Sequence, residues 1–260
     1  MNLSRAWAIT TGHLSQIVQD TPRLTAPFYW ALIELVLVGF MASWIESSSG
    51  ASVVHALVAA AIAWSIMVRV GIEIAWNLLI ELWDNNLINL FTSPLSIIEW
   101  IVAAALYGII AAALLFVFLC ASAYLMFGYN FFSVGWLLIP LLINYYLSAL
   151  VIGFLASSLP IYYGVRVTTY VFMLSWLFAP FSGLYYSLSV MPLWAQYIAH
   201  ALPTYYGVDV LKTFVLTGHI AYWKLGMTFL LNGTYLIMTT VLFKQMFEKS
   251  KKQGLSRLAN

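Results

Sequence analysis

Apolar runs, each about as long as a bilayer is thick, recur along this chain and are separated by short polar breaks. They cover about Pro27–Ile45, Val53–Val68, Ile98–Phe127, Phe132–Leu155, Val167–Leu184 and Tyr222–Phe243. A transmembrane helix needs about 20 predominantly apolar residues, so the pattern predicts six spans. The short connections leave no room for a separate folded domain. We therefore expect an all-α polytopic membrane protein whose six-span domain covers residues 26–247.

Before the first run, residues 1–25 have an amphipathic pattern. Leu3, Trp7, Leu14 and Ile17 fall on one helical face and Arg5 falls elsewhere, which predicts an N-terminal amphipathic interfacial helix. A helix packed on the bundle would have the same pattern. Thr21-Pro22 and Ala26-Pro27 are expected to end this helix.

A second amphipathic segment follows the second run, at about residues 80–92. Its apolar and polar positions alternate with helical period, and Pro94 ends the pattern. The apolar face contains Ile80, Trp83, Leu87 and Phe91, and the polar face contains Glu81, Asp84, Asn85 and Asn89. Spacing alone fits either a docking surface for a soluble partner or a simple interfacial connector.

Residues 179–212 are too apolar for a free loop, yet prolines and glycines interrupt them. The interrupting residues are Pro180, Gly183, Pro192, Pro203 and Gly207. Non-helical backbone at membrane depth is tolerated only where it is buried in protein or lines a cavity. We therefore expect a re-entrant hairpin between the fifth and sixth helices, with Tyr185 and Tyr186 either in an interfacial belt or lining an exit.

Composition and charge agree with a membrane protein. Apolar residues make up 63% of the chain and charged residues 8%, against about 45–50% and about 25% in soluble domains. The net charge of +2 gives no indication of a nucleic-acid partner. With one cysteine, Cys120, the chain cannot form an internal disulfide.

The basic residues predict the topology. If both termini are cytoplasmic, nine of the eleven Lys and Arg residues lie on the cytoplasmic side, as the positive-inside rule requires. They are Arg5, Arg23, Arg69, Arg166, Lys244, Lys249, Lys251, Lys252 and Arg257. Residues 248–260 then form a basic cytoplasmic tail, which either contacts anionic lipid headgroups or is simply solvated.

Ionisable residues inside the apolar runs are candidates for function, because a charge in lipid is costly. Glu34 is the main one, and it can line a conduit, pair with Arg23 or Arg69, or mark a dimer contact. Glu73 stands four positions after Arg69, which favours a helical ion pair.

Three further charged residues lie at or beyond the ends of the apolar runs. Asp209 and Lys212 are three positions apart and are expected to pair. Glu99 stands at the cytoplasmic start of the third run, where it can belong to a docking surface.

The ordered motifs resemble the permease subunit of ATP-binding-cassette (ABC) exporters of the type-2 family over nearly the whole chain. The resemblance rests on Leu90–Ser96 (Leu-Phe-Thr-Ser-Pro-Leu-Ser), Pro180–Gly183 (Pro-Phe-Ser-Gly), Met191–Trp194 and Leu202-Pro203. The chain departs from the family where Tyr186-Ser187 replaces Tyr-Pro, where Lys212 replaces Arg, and where Tyr205 and Tyr206 stand in place of a histidine.

The resemblance implies a bacterial cytoplasmic (inner) membrane protein in which two copies form a conduit and each binds a separate ABC ATP-binding subunit. ATPase coupling would fall to Glu81, Trp83, Asp84, Asn85, Leu87 and Pro94. The conduit or exit gate would be lined by Glu34, Phe181, Ser182, Gly183, Tyr185, Tyr186, Pro192 and Pro203. The cargo would be an amphiphilic or hydrophobic molecule: a lipid-linked polysaccharide, another lipid or a drug.

The sequence contains no phosphate-loop motif of the Gly-x-x-x-x-Gly-Lys-Ser/Thr type. ATP and Mg are therefore expected in the partner ATPase, with no cofactor, metal or catalytic residue in this chain. Hydrolase motifs such as Gly-x-Ser-x-Gly and His-Glu-x-x-His are also absent from the sequence, which argues against an intramembrane enzyme. The competing interpretation is a secondary transporter or channel that uses Glu34.

Overall fold

The computed structural model describes residues 3–50, 52–83 and 97–253, which form helices and no strand. The α-helices are α1 (Leu3–Gln19), α2 (Thr21–Ser49), α3 (Val54–Trp83), α4 (Ile97–Phe127), α5 (Leu138–Ser158), α6 (Pro160–Tyr163), α7 (Thr168–Leu177), α8 (Leu193–Ala201), α9 (Pro203–Thr217) and α10 (Tyr222–Lys252). Short 3-10 helices lie at Phe131–Leu137, Gly164–Val167, Ala179–Phe181 and Leu188–Val190. The all-α prediction is confirmed for the described residues.

Five helical stretches of the described chain are long and apolar enough to cross a membrane. They are Thr21–Ser49, Val54–Trp83, Ile98–Phe127, Phe131–Phe181 and Tyr222–Lys252. The fourth and fifth predicted spans fall together in the 51-residue stretch from Phe131 to Phe181. The membrane-spanning character is therefore supported, while the count of six spans stays a prediction.

Within the 51-residue stretch the chain turns back on itself. Gly164 has a φ of 76° at the end of α6, a conformation that costs glycine little because it has no Cβ. After this turn, α7 packs against α5 and α3. With ten residues, α7 is about 15 Å long at 1.5 Å per residue, which is half the thickness of the hydrocarbon core.

Helix α3 is the centre of the bundle and packs against α2, α4, α5 and α9. Its first half is rich in alanine, and Ala59, Ala60, Ala61 and Ala63 are fully buried. Between membrane helices the hydrophobic effect gives little attraction, so association depends on close packing of small residues. A continuous row of small side chains therefore lets several helices approach α3 at once.

The beginning of α2 differs from the sequence prediction. The predicted end of the N-terminal helix at Thr21-Pro22 is confirmed, because α1 ends at Gln19 and Pro22 lies in the first turn of α2. Pro27, contrary to the prediction, lies inside α2 and ends no helix. Asp20 Oδ1 accepts a hydrogen bond from Arg23 N at 3.2 Å and caps the helix. Proline is tolerated in a first turn, where its missing N–H would have no helical partner.

The polar break predicted between the first two apolar runs, after Ile45, is also mostly helical. Helix α2 continues to Ser49, and Gly50, with a φ of 68°, ends it. Glu46 Oε2 then accepts hydrogen bonds from Val53 N and Val54 N at 3.2 Å each. The carboxylate thereby satisfies amide donors at the start of α3, which explains how so short a connection reverses the chain.

Helix α1 packs on α4, and Thr10 Oγ1 donates a hydrogen bond to Ala103 O at 3.2 Å. Thr10, His13 and Ile17 are buried, whereas Trp7 on another part of the helix is exposed. Helix α1 is therefore packed on the bundle, which is one of the two arrangements that its sequence pattern allows. Placement of α1 at the membrane surface stays a prediction.

The segment predicted as a coupling helix does not begin a new helix at residue 80. Residues 80–83 are the last turn of α3, and residues 84–96 lie outside the described residues. At the other terminus α10 continues to Lys252, beyond the predicted end of the last span, because no proline or glycine interrupts it there. The remaining tail, residues 254–260, also lies outside the described residues.

Candidate functional site

A cavity of about 640 Å³ lies between α2, α3, α7 and the segment around Tyr185. Its charged lining consists of Arg23, Glu34, Arg69 and Glu73, and its aromatic lining consists of Trp30, Trp76, Phe172, Trp176 and Tyr185. It extends from the first turn of α2 to the middle of that helix. A cavity of this size, walled mainly by apolar groups with a few converging charges, is typical of small-molecule sites.

Glu34 joins three parts of the chain at this cavity. Its Oε2 accepts a hydrogen bond from Ser65 Oγ at 3.0 Å and lies 3.6 Å from Arg69 Nη2. Its Oε1 accepts a hydrogen bond from Tyr185 OH at 3.3 Å. Glu34 thus lines the cavity and pairs with Arg69, one of the two partners expected for it. We call these four residues the Glu34 network.

Arg69 also contacts α7. Its guanidinium carbon lies 5.0 Å from the centre of the Trp176 ring, a cation–π arrangement. The side chain is nearly buried, with 12% of its surface exposed. One residue therefore connects α3 to α2 through Glu34 and to α7 through Trp176.

The ion pair expected between Arg69 and Glu73 is not formed. Glu73 Oε2 instead accepts a hydrogen bond from Tyr107 OH of α4 at 3.0 Å. Arg23 Nη2 donates to Asn77 Oδ1 at 2.5 Å. The spacing of four residues predicts a pair on a solvated helix, but in a helix surrounded by others each side chain finds a partner across an interface.

The Pro-Phe-Ser-Gly segment forms a tight turn at the edge of the site. Ser182 is fully buried; its Oγ donates to Ala179 O at 2.8 Å and accepts from Leu184 N at 3.2 Å. Gly183 has a φ of 72°, and Lys212 Nζ donates to Gly183 O at 3.0 Å. The turn directs Tyr185 towards Glu34, while Tyr186 is 43% exposed.

The prolines predicted to interrupt the re-entrant hairpin after this turn lie at the beginnings of helices. Pro192 precedes α8, Pro203 begins α9, and the Phe181 ring contacts the Trp194 ring with centroids 6.2 Å apart. Helix α9 packs against α3 and α10. The depth of this segment in the membrane stays a prediction.

Asp209 and Lys212 do not pair, contrary to the expectation. Asp209 Oδ2 lies 2.5 Å from Lys224 Nζ of α10, while Lys212 holds the Gly183 carbonyl. These two lysines therefore allow a matched comparison. Lys212 stabilises the Phe-Ser-Gly turn through a hydrogen bond, whereas Lys224 forms a partly exposed ion pair.

We expect Lys212→Met to loosen the Phe-Ser-Gly turn, because the Gly183 carbonyl loses a charge-assisted hydrogen bond of about 1.5–3 kcal/mol. The measurement is the rate of limited proteolysis at residues 183–190, compared with Lys224→Met. The control should change little, since exposed ion pairs contribute about 0–1 kcal/mol. Equal cleavage rates in both variants would show that Lys212 does not hold the turn.

A buried polar cluster that was not predicted from the sequence joins α5 to α10, and a hydrogen bond from Tyr145 beside it reaches α9. Asn144 Oδ1 accepts hydrogen bonds from Thr228 Oγ1 at 2.8 Å and from Asn232 Nδ2 at 2.9 Å. Ser148 Oγ donates to Asn232 Oδ1 at 3.0 Å, and Tyr145 OH donates to Gly207 O at 3.3 Å. Asparagines inside apolar runs were the available signal, because such side chains hydrogen-bond across membrane helices.

Two of the proposed coupling residues are described. Trp83 is 42% exposed, whereas Glu81, whose carboxylate is proposed to meet the ATPase, is only 6% exposed. Burial against neighbouring helices overrides the local pattern here. The other four, Asp84, Asn85, Leu87 and Pro94, lie outside the described residues.

Within the described ranges, no three His, Cys, Asp or Glu side chains lie close enough together to hold a metal ion. A scan of known protein families finds no model that matches this chain, and a search of curated proteins finds no match either. Function is therefore inferred from the motifs and from the cavity.

Proposed function

We propose that this chain is the transmembrane permease subunit of an ATP-driven ABC exporter. Two copies would form the conduit, and each would bind a separate cytoplasmic ATPase. The observation that supports this most is the contact between Tyr185 and Glu34. Through it, the segment carrying the Phe-Ser-Gly element on which the resemblance rests contributes Tyr185 to the cavity wall.

The cavity provides a mechanism for the transport step. Helix α3 carries Arg69 and Ser65 of the Glu34 network, and the segment predicted to bind the ATPase, about residues 80–92, begins in its last turn. Displacement of α3 by the ATPase would therefore pull on the contacts of Glu34 with Tyr185. Loss of that contact would separate α2 from the Phe-Ser-Gly turn and open the cavity towards the outer side.

A secondary transporter or channel that uses Glu34 is the alternative. The observation in its favour is a buried carboxylate in the middle of a membrane-spanning helix. However, Glu34 already has Arg69, Ser65 and Tyr185 as partners, an arrangement that compensates its charge. The ATP-driven permease accounts for both this compensation and the ordered motifs, so we favour it.

The coupling segment provides the test. We expect the double charge change Asp84→Lys with Asn85→Lys to weaken ATPase binding or to uncouple hydrolysis, because the proposed docking face would present cations. The complex is isolated through a tag on this chain, and bound ATPase and hydrolysis rate are measured. Glu81 is unsuitable for this test because it is buried, and reversing a buried charge would disturb folding.

Glu248→Lys is the matched control, because Glu248 is exposed near the end of α10 and lies outside the proposed docking segment. It should leave ATPase binding and hydrolysis unchanged. If the double variant also leaves both unchanged, together with transport, residues 84 and 85 are not part of a coupling element.

A further inference from the structure

The chain breaks between α8 and α9 at Leu202, whose backbone is extended with a φ of −97° and a ψ of 129°. Two carbonyl groups beside this break accept hydrogen bonds from side chains of α10. Tyr235 OH donates to Ala201 O at 2.7 Å, and Thr228 Oγ1 donates to Pro203 O at 2.9 Å. Ala201, Leu202 and Pro203 form the tip of the predicted hairpin, which is therefore attached to the last helix.

The length of α10 indicates how deep this tip lies in a bilayer. Residues 225–243, between Lys224 and Lys244, carry no charge, and at 1.5 Å per residue they span about 29 Å. The hydrocarbon core has a similar thickness of about 30 Å. Thr228 and Tyr235 follow Lys224 by four and eleven residues, or about 6 Å and about 17 Å along the helix axis. Because the tip contacts both side chains, we place it in the hydrocarbon core, where non-helical backbone requires partners from the protein.

A cavity of about 680 Å³ adjoins the tip between α5 and α10. Leu202, Pro203 and Thr204 form part of its wall. The rest of the wall is mainly apolar and includes Val151, Ile152, Leu155, Met238 and Leu242. Side-chain packing therefore does not support the tip on this side, so its position depends on the two hydrogen bonds from α10.

Both helices of the hairpin contact the Phe-Ser-Gly turn of the candidate site. In α8, the Trp194 ring contacts the Phe181 ring, with centroids 6.2 Å apart. In α9, Lys212 Nζ donates a hydrogen bond to Gly183 O at 3.0 Å. The turn directs Tyr185 into the Glu34 network. A shift of the hairpin tip is therefore expected to change the wall of the site.

We propose that Tyr235 and Thr228 are positioning residues of the exit gate. Their hydroxyl groups hold the tip of the hairpin inside the hydrocarbon core and keep the Phe-Ser-Gly turn closed on the site. Release of these two hydrogen bonds frees the tip, and water then enters at the hairpin. The proposal rests on the exporter function only for the role of the hairpin as a gate, because the position of the tip requires neither an ATPase nor ATP.

The test measures how fast water reaches the tip when the full-length chain is held in lipid nanodiscs. The reporter is the thiol introduced by Thr204→Cys, at a position that is 4% exposed and whose hydroxyl has no hydrogen-bond partner in the described chain. A charged, water-soluble methanethiosulfonate modifies this thiol, and Cys120, which is 7% exposed in α4, is the internal reference. Mass spectrometry of peptides gives the two modification rates separately.

Tyr235→Phe removes one hydroxyl group and keeps the ring. We expect it to accelerate modification at position 204 about three- to tenfold, the range that loss of one hydrogen bond between membrane helices produces. The rate at Cys120 should stay the same. Tyr222→Phe is the matched control, because Tyr222 is 63% exposed at the start of α10, and it should leave both rates unchanged.

Thr228 allows a rescue by a conservative variant. Thr228→Val should accelerate modification at position 204, whereas Thr228→Ser keeps the hydroxyl group and should retain the slow rate. Thr228 Oγ1 also lies 2.8 Å from Asn144 Oδ1. Where the two positions disagree, Tyr235→Phe therefore decides, since the hydroxyl group it removes bonds to the tip.

Two results would overturn the proposal. One is an unchanged rate at position 204 in Tyr235→Phe, and the other is an equal acceleration at Cys120, which would indicate general loosening of the bundle. If Thr204→Cys does not fold, hydrogen–deuterium exchange of residues 193–206 in Tyr235→Phe, referred to residues 115–125, gives the same comparison. A missing ATPase partner would disprove the exporter function and leave this result intact.

Discussion

Replacing Glu34 by glutamine is expected to destabilise the chain strongly, because Arg69 then remains nearly buried without a counter-ion. Removal of one partner from a buried ion pair typically costs about 3–5 kcal/mol. The carboxylate lies 3.6 Å from Arg69 Nη2 and also accepts hydrogen bonds from Ser65 and Tyr185, so the substitution weakens three contacts together. The measurement is the temperature at which half of the detergent-purified chain loses its monodisperse elution peak.

A second substitution makes this prediction specific. The double variant Glu34→Gln with Arg69→Gln contains no unpaired charge, and we expect it to recover much of the lost stability. Glu248→Gln, at an exposed position of α10, should have little effect. The single variant Arg69→Gln completes the comparison. If the stability losses of Glu34→Gln and Arg69→Gln simply add in the double variant, then Glu34 and Arg69 do not interact energetically and the proposed network is wrong.

Valine at Gly153 or Gly71 is expected to prevent correct packing of the bundle. A Cβ at Gly153 would lie 2.9 Å from Ile74 Cβ and 3.1 Å from Gly71 O, and a Cβ at Gly71 would lie 3.0 Å from Ala149 O. These are backbone and branch-point atoms that cannot move aside cheaply. Overpacking typically costs about 1–3 kcal/mol, and a backbone clash at the central α3–α5 interface should reach or exceed the upper end.

The chain supplies the matched controls for this experiment. Gly226 and Gly233 lie in α10, where a Cβ would meet nothing within 4 Å. Valine at either position should change stability by less than about 0.5 kcal/mol, as is usual at surface sites. The yield of folded chain after membrane extraction and its thermal midpoint are compared across the four variants. Similar losses at all four positions would contradict the close approach of α3 and α5.

The amino-acid sequence predicts helices and apolar spans well because both depend on local patterns. The apolar segment predicted at Ile98–Phe127 is a helix long enough to cross a membrane, and the long helix after Val53 is found as α3. The helix boundaries are predicted wrongly where a capping side chain determines where the helix begins. Pro27 lies inside α2 because Asp20 caps the helix upstream of it, and Glu46 shortens the first connection by capping α3.

The contacts of the site depend on packing between distant segments and are therefore hidden from local patterns. Tyr185 and Glu34 are separated by 151 positions. Arg69 pairs with Glu34 and not with Glu73 because α2 places Glu34 next to it. Glu81 is buried because other helices surround the end of α3. Sequence periodicity identifies Glu34 as costly in a membrane, but only the assembled bundle shows how its charge is compensated.

The most direct test of the central claim is native mass spectrometry of the complex purified through this chain from its own host in mild detergent. We predict an assembly of two copies of this chain with two copies of an ATPase that carries a phosphate loop, together with ATP hydrolysis. A folded chain that is isolated repeatedly without an ATPase, and that conducts ions or protons in vesicles in a manner dependent on Glu34, would contradict the permease function and establish the secondary transporter or channel.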